Sequence, residues 1–397
     1  MAGMDTVITA GQVLPTPDSP LRDGAVLIRD GRIAAVGPRA TVVDKASSMA
    51  MRWDFPAGTL MAGLFNTHVH LAFDASPEFL ANQERATREE LQAGAVDRLR
   101  KLLRSGVTTV RDVGDRDNLA VSVRAALAAA DVVAPTLLAA GTPLTVPGGH
   151  CHFLGGAVTD DASTRKLIDR NATAGVDVIK VMASGGQITP GGAQMWESQF
   201  DERQLRMIVE HAASHGLPVA AHAHGADAIE ACVDAGVATI EHCTWMTGPG
   251  GQTDRRDPVA RRMVERGIAV CSTSSPSWRT MAERMGDDVA ARVFGRLTWL
   301  EEHGVRLIAG TDAGLPGSVF DKPVAALELY ESLGFSRTRI LEIATVDSAQ
   351  AVGLGDKAGR LAPGYRADLL VVDGDPLTDL AALAKVRRVM AGGRLAA

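Results

Sequence analysis

His68 and His70 stand one residue apart in Phe65-Asn-Thr-His-Val-His-Leu71. Alternate side chains of a β-strand share a face, so this spacing aims two imidazoles the same way. On a helix it would set them roughly 200° apart. The apolar run over residues 58–65 reads as a buried strand, and two imidazoles at its polar tip suit a zinc site. Two hydrogen-bonded structural histidines would give the same pair. Four further strand-like runs end in residues with related chemistry: Lys180, the pair His222 and His224, His242, and Asp312. Taken singly, each reads as a strand histidine, an ion-pair partner or a helix cap. Placed together at strand ends, they read as a metal centre.

Eight strand candidates hold these residues, over 60–71, 107–114, 136–142, 178–184, 218–224, 239–243, 268–272 and 306–312. Helical stretches alternate with them, at 77–104, 118–130, 162–174, 202–215, 226–235, 258–266, 287–303 and 324–333. Asp201 and Gln204 have the spacing of a capping box. Eight strand–helix units predict an α/β fold, a (β/α)8 TIM barrel, whose strand tips converge on one face. Residues 1–57 look all-β, with Asp30-Gly31 as a hairpin turn. The β texture returns after residue 354. A small β-sandwich built from 1–57 and 355–397 is therefore expected beside a barrel spanning 58–354.

The chain has 397 residues, 46% hydrophobic and 22% charged, with a formal net charge of -6. That charge gives no reason to expect nucleic acid or an anionic membrane as partner. The apolar stretch over 119–140 is broken by Arg124, Asp131 and Pro135, so it reads as a helix and a strand. No leader is visible in Met1-Ala-Gly-Met-Asp5, and a cytoplasmic location is expected. Cys151, Cys232, Cys243 and Cys271 form no Cys-x-x-Cys pair and read as reduced thiols. Cys151 and Cys243 each adjoin a histidine, which leaves a ligand role open. His211, His215 and His303 fall on helices and read as surface or packing residues.

The chain resembles the amidohydrolase superfamily, in its imidazolonepropionase-like branch that includes Xaa-Pro dipeptidases. The resemblance rests on Gly63-Leu-Phe-Asn-Thr-His-Val-His, Gly106-Val-Thr-Thr-Val-Arg-Asp, Ile179-Lys-Val-Met-Ala-Ser-Gly-Gly, Ala221-His-Ala-His, Ile240-Glu-His, Gly310-Thr-Asp-Ala-Gly and the tail from Gly364 to Leu377. It implies a homo-oligomeric hydrolase with two divalent metals, zinc, and a small-molecule substrate. His68, His70 and Asp312 would hold the first metal, and His222 and His242 the second. Lys180, carboxylated by CO2 to a carbamate, would bridge them. Carbamate formation needs a neutral amine, so Lys180 must fall below its reference pKa of about 10.4.

By the same resemblance a metal-bridging hydroxide attacks an amide-type C–N bond in a dipeptide or N-acyl amino acid. Asp312 then passes the proton to the leaving nitrogen. His150, in Pro147-Gly-Gly-His-Cys-His, matches a dipeptidase motif and would contact the substrate or the oxyanion; His152 is a weaker candidate. His224 stands where the dipeptidases commonly have tyrosine, so His224 or Arg279 would meet a substrate carboxylate. Trp196, Trp245 and Trp278 follow barrel strands and would wall the pocket or anchor loops. Rival readings are a cyclic amidohydrolase or lactonase, a deaminase, and a metal-free scaffold. Lys180 weighs against the deaminases, and the intact ligand set weighs against the scaffold.

Overall fold

The computed structural model describes residues 5–396, and residues 1–4, where no leader is expected, lie outside them. The chain opens with β1 (Thr6–Leu14), β2 (Leu21–Arg29), β3 (Arg32–Pro38) and β4 (Met51–Ala62). Asp30 and Gly31 turn β2 into β3 with φ of 48° and 74°. Positive φ at both central residues is the hairpin geometry that Asp-Gly favours. Eight strands follow: β5 (Leu64–Val69), β6 (Val107–Asp112), β7 (Thr136–Ala139), β8 (Ile179–Met182), β9 (Val219–Gly225), β10 (Thr239–Met246), β11 (Ala269–Cys271) and β12 (Leu307–Ile308). The chain closes with β13 (Leu369–Asp373), β14 (Val386–Ala391) and β15 (Arg394–Leu395).

Strands β5 to β7 and β8 to β12 pair in parallel, each beside its sequence neighbour. Two junctions join these sheets into a ring. At one, Leu144 bridges Val181, and the Met182 N–H donates to Leu144 O at 2.8 Å. At the other, Val69 bridges Ala313, and the His70 N–H donates to Ala313 O at 2.8 Å. The result is the (β/α)8 arrangement, with helices covering the outside. The helix Arg88–Arg104 shows why: Ala95, Leu99, Leu102 and Leu103 recur on one face and are buried. Thr87 and Glu90 close a capping box at its start, as Asp201 and Gln204 do before Glu202–Ser214.

The termini share a seven-stranded sheet ordered β15-β14-β13-β4-β1-β2-β3. Ile8, Val26, Ile33, Leu60, Leu369, Val371 and Met390 form one core against it. The Ile33 N–H donates to Tyr365 O and the Ala367 N–H to Gly31 O, so the β3 edge meets the segment entering β13. The layers expected of a sandwich are thus parts of one sheet rolled around a shared core.

Several elements differ from expectation, among them the stretch 287–303, which divides at Gly295, and the N-terminal β part, which holds a short helix at Arg39–Val43. The run 60–71 is two strands: Leu60 pairs with Val371 of the terminal sheet, whereas Leu64 pairs with Val107 of the barrel. Gly63 makes the crossing, where a Cβ would lie 2.2 Å from Thr108 Oγ1. The stretch 77–104 divides before Thr87, which caps a second helix. An unexpected helix, Trp278–Met285, follows β11. Among the described residues no helix is long and apolar enough to cross a membrane.

Candidate metal centre

His68 lies near the end of β5 and His70 directly follows the strand, with ring centroids 5.4 Å apart. His68 Nδ1 lies 2.7 Å from Glu241 Oε2, and His70 Nδ1 lies 3.2 Å from Gly114 O. Carboxylate and carbonyl oxygens only accept, so each Nδ1 carries a proton and each Nε2 is the atom left to meet a cation. Both Nε2 atoms lie 3.2 Å from Asp312 Oδ1, which has no hydrogen-bond partner among the described residues. Three potential donor atoms therefore converge. Ligand atoms about 2.0–2.2 Å from a tetrahedral zinc would stand about 3.3 Å apart, close to this spacing.

The opposite side of the mouth holds the second group. His222 Nε2 is anchored on Gly185 O at 3.0 Å, His242 Nδ1 on Thr273 Oγ1 at 2.7 Å, and His224 Nδ1 on Thr244 Oγ1 at 2.9 Å. Fixing one ring nitrogen orients the other, as metal-binding histidines require. One ligand atom from each of His222, His224 and His242 lies within 4.8 Å of the others. His68, His242 and Asp312 satisfy the same limit, which links the two groups.

Lys180, on β8, is buried, and its Nζ has no hydrogen-bond partner among the described residues. Burial pushes its pKa below the ordinary lysine value, with Glu241 opposing and Arg111 adding to the fall. An orphaned amine inclined to neutrality fits a carbamate bridge. Burial likewise holds His222 and His242 well below the usual histidine value, so both are neutral donors. Burial would raise Asp312, but the His68 and His70 imidazoles hold its carboxyl well below the usual carboxylate range. The donor set fits divalent cations of the zinc type.

His150 joins the site. Its ring lies 4.4 Å from that of His222, and burial together with Lys180 lowers it to about 4. Gly186 makes room, since a Cβ there would sit 2.3 Å from the His150 ring. His224 stacks on His242 at 4.4 Å and is lowered to about 3 by burial and then by His150. His152 is exposed at the start of a short helical turn.

Two expected pocket residues are placed elsewhere. Trp245 is fully buried and meets Trp299 edge-on at 5.4 Å, so its ring is core and not an open pocket wall. Its φ of 60° turns it out of the regular strand parity. Arg279 lies on the extra helix, over the Trp278 ring, and its exposed guanidinium pairs with Glu328 at 2.5 Å. Trp278 is tied by its Nε1–H to Ala325 O at 3.0 Å. All four cysteines are free and buried, and burial pushes the Cys151 and Cys243 thiols up to about 12, away from a thiolate ligand.

Sequence reasoning assigned no role to Glu241 and Arg111. Glu241 accepts from Arg111 Nη2 at 2.8 Å, from Thr239 Oγ1 at 2.6 Å and from His68. Arg111 also donates to Thr67 O at 2.7 Å, beside His68. Burial opposes ionisation of Glu241, but Arg111 and His68 hold it well below the usual range. The signal available was a glutamate inside the apolar run 238–243. Consecutive Glu241 and His242 both serve the site because φ turns to 67° at His242 and breaks strand alternation.

The pattern describing the Amidohydrolase family matches residues 59–396, and that of the bacterial imidazolonepropionase-like composite domain matches 24–46. Ochratoxinase from Aspergillus niger is 26% identical over 98% of this chain and 86% of its own length. A prolidase in complex with N-methylphosphonate-L-proline is 26% identical, with a TM-score of 0.84 over 99% of both chains. A Xaa-Pro dipeptidase with bound methionine shares the fold, with a TM-score of 0.85 and 24% identity over 98% of this chain and 99% of its own.

Proposed function

The chain belongs to the amidohydrolase family, and on that premise we propose that it cleaves the amide bond of a dipeptide or an N-acyl amino acid at a two-metal site. His68, His70 and Asp312 would hold one zinc ion, and His222 and His242 the other, with carboxylated Lys180 between them. The observation that carries this reading is the convergence of His68 Nε2 and His70 Nε2 on Asp312 Oδ1, each at 3.2 Å, together with a buried Lys180 Nζ that has no hydrogen-bond partner among the described residues. The similarity to a prolidase and to ochratoxinase supports amide hydrolysis.

Bound divalent cations would polarise the scissile carbonyl and bring a water's pKa to about 7. Asp312 is ionised and its side chain keeps 17% exposure, so one oxygen remains open to the substrate side. It takes the proton of the attacking water and returns it to the leaving nitrogen. His150 is a neutral imidazole and donates an N–H to the oxyanion that develops on the carbonyl. His224, also neutral, lines the substrate side beside His242 and acts as a hydrogen-bond donor to a substrate carboxylate.

A hydrolysis panel tests this reading. Zinc- and bicarbonate-treated protein would meet dipeptides, N-acyl amino acids, cyclic amides and lactones. Turnover of a dipeptide or an N-acyl amino acid is expected. Turnover confined to rings would refute the open-chain substrate and move the assignment to cyclic amides or esters.

A further inference from the structure

Outside the barrel mouth, the helix Glu202–Ser214 carries His211, and His215 is its C-terminal cap. Residues four apart share a helix face, and the two rings meet edge-on with centroids 5.4 Å apart. Asp169, on the helix Asp161–Ala174, reaches the same face. Its Oδ1 lies 2.7 Å from His211 Nε2 and 2.7 Å from His215 Nε2. Two imidazole nitrogens and a carboxylate oxygen from two packed helices thus meet at one point. One ligand atom from each of the three residues lies within 4.8 Å of the others, as a shared cation requires.

We propose that Asp169, His211 and His215 form a second metal site, on the surface, that takes a divalent cation of the Zn2+ type. Two nitrogens and one oxygen are a suitable zinc donor set, and a water would complete four-coordination. A tetrahedral zinc spaces its ligand atoms about 3.3 Å apart, so each present contact must open by about 0.6 Å. The side chains of Asp169, His215 and His211 keep 52%, 34% and 18% exposure, so the cluster opens to solvent and lies outside the core. His211 Nδ1 lies 3.4 Å from Arg165 Nη1, a donor, so in the metal-free form the His211 proton sits on Nε2 and points at Asp169. Metal binding moves that proton to Nδ1 and turns Arg165 toward solvent. The cation therefore takes the place of the proton that points from His211 at Asp169.

Equilibrium dialysis against Zn2+ at about pH 8, above the histidine range, followed by metal counting per chain, tests the site. The wild type is expected to bind one equivalent more than His211→Ala/His215→Ala. Asp169→Asn, which keeps both imidazoles, should weaken that equivalent by about 10-fold or more. The difference of one does not depend on how many ions the barrel holds, so it stands or falls apart from the two-metal reading. Equal metal content in the wild type and the double variant would overturn the proposal and leave an ion-pair cluster only.

Discussion

Replacing Glu241 by glutamine separates the positioning of His68 from its mere presence. Glu241 is fully buried and meets three donors: Arg111 Nη2 at 2.8 Å, Thr239 Oγ1 at 2.6 Å and His68 Nδ1 at 2.7 Å. An amide of the same volume supplies one acceptor oxygen and one NH2. If the oxygen faces His68, the NH2 confronts the Arg111 guanidinium. If the NH2 faces His68, the ring must place its proton on Nε2 and loses the lone pair aimed at the metal. Either way Arg111 remains as a buried cation without its counter-charge. Removing one partner of such a pair costs about 3–5 kcal/mol. Loss of an outer partner of a ligating histidine costs about 10–100-fold in metal affinity. Urea unfolding of zinc-free protein would measure the first effect, and zinc titration against a competing chelator the second. The double variant Arg111→Met/Glu241→Gln should recover stability and still bind zinc weakly, because the cation is gone but the carboxylate is not restored. A Glu241→Gln protein within about 0.5 kcal/mol of wild-type stability, a surface-substitution effect, and with unchanged zinc affinity would refute this reasoning.

Three further outcomes follow from the same geometry. His224→Ala should change the ranking of substrates in the hydrolysis panel while leaving bound metal in place; an unchanged ranking would remove His224 from the substrate side. Asp312→Asn should lower kcat/KM by about 100-fold or more if Asp312 moves the proton as proposed, and steady-state kinetics would show it. In the terminal sheet, the Arg29 fork and then the Ser47 N–H hold Asp5 down at about 2, below its ordinary value. A depressed carboxylate contributes stability above its unfolded pKa of about 3.9 and loses it as the pH falls toward about 2. Arg29 is 48% exposed, so screening leaves about 1–2 kcal/mol, and Asp5→Asn should show a deficit at neutral pH that shrinks below about pH 4. A deficit constant with pH would contradict that origin.

The metal-ligand candidates were legible because a strand makes residue parity meaningful. His68 and His70, and likewise His222 and His224, sit two apart on strands and do face one centre. Lys180 and Asp312 needed only the rule that strand ends converge in a barrel. Parity counting fails at the end of β10, where His242, Cys243 and Trp245 all have positive φ. There Trp245 turns into the core, and Glu241 joins its neighbour His242 at the site. Arg279 was misplaced because the helix Trp278–Met285 was not anticipated and carries it to Glu328. The break at Gly63 was hidden as well: residues 60–62 and 64–69 are equally buried, and only the pairing partners tell the two sheets apart.

Lys180 is where the account is most exposed to test. Wild type and Lys180→Ala, both treated with zinc and bicarbonate, would be compared for bound metal and for hydrolysis in the same samples. The variant is expected to lose barrel metal and turnover together, with kcat/KM down by about 100-fold or more as for loss of a bridging metal ligand. A Lys180→Ala protein that keeps its full metal content and full turnover would contradict the two-metal centre at its core.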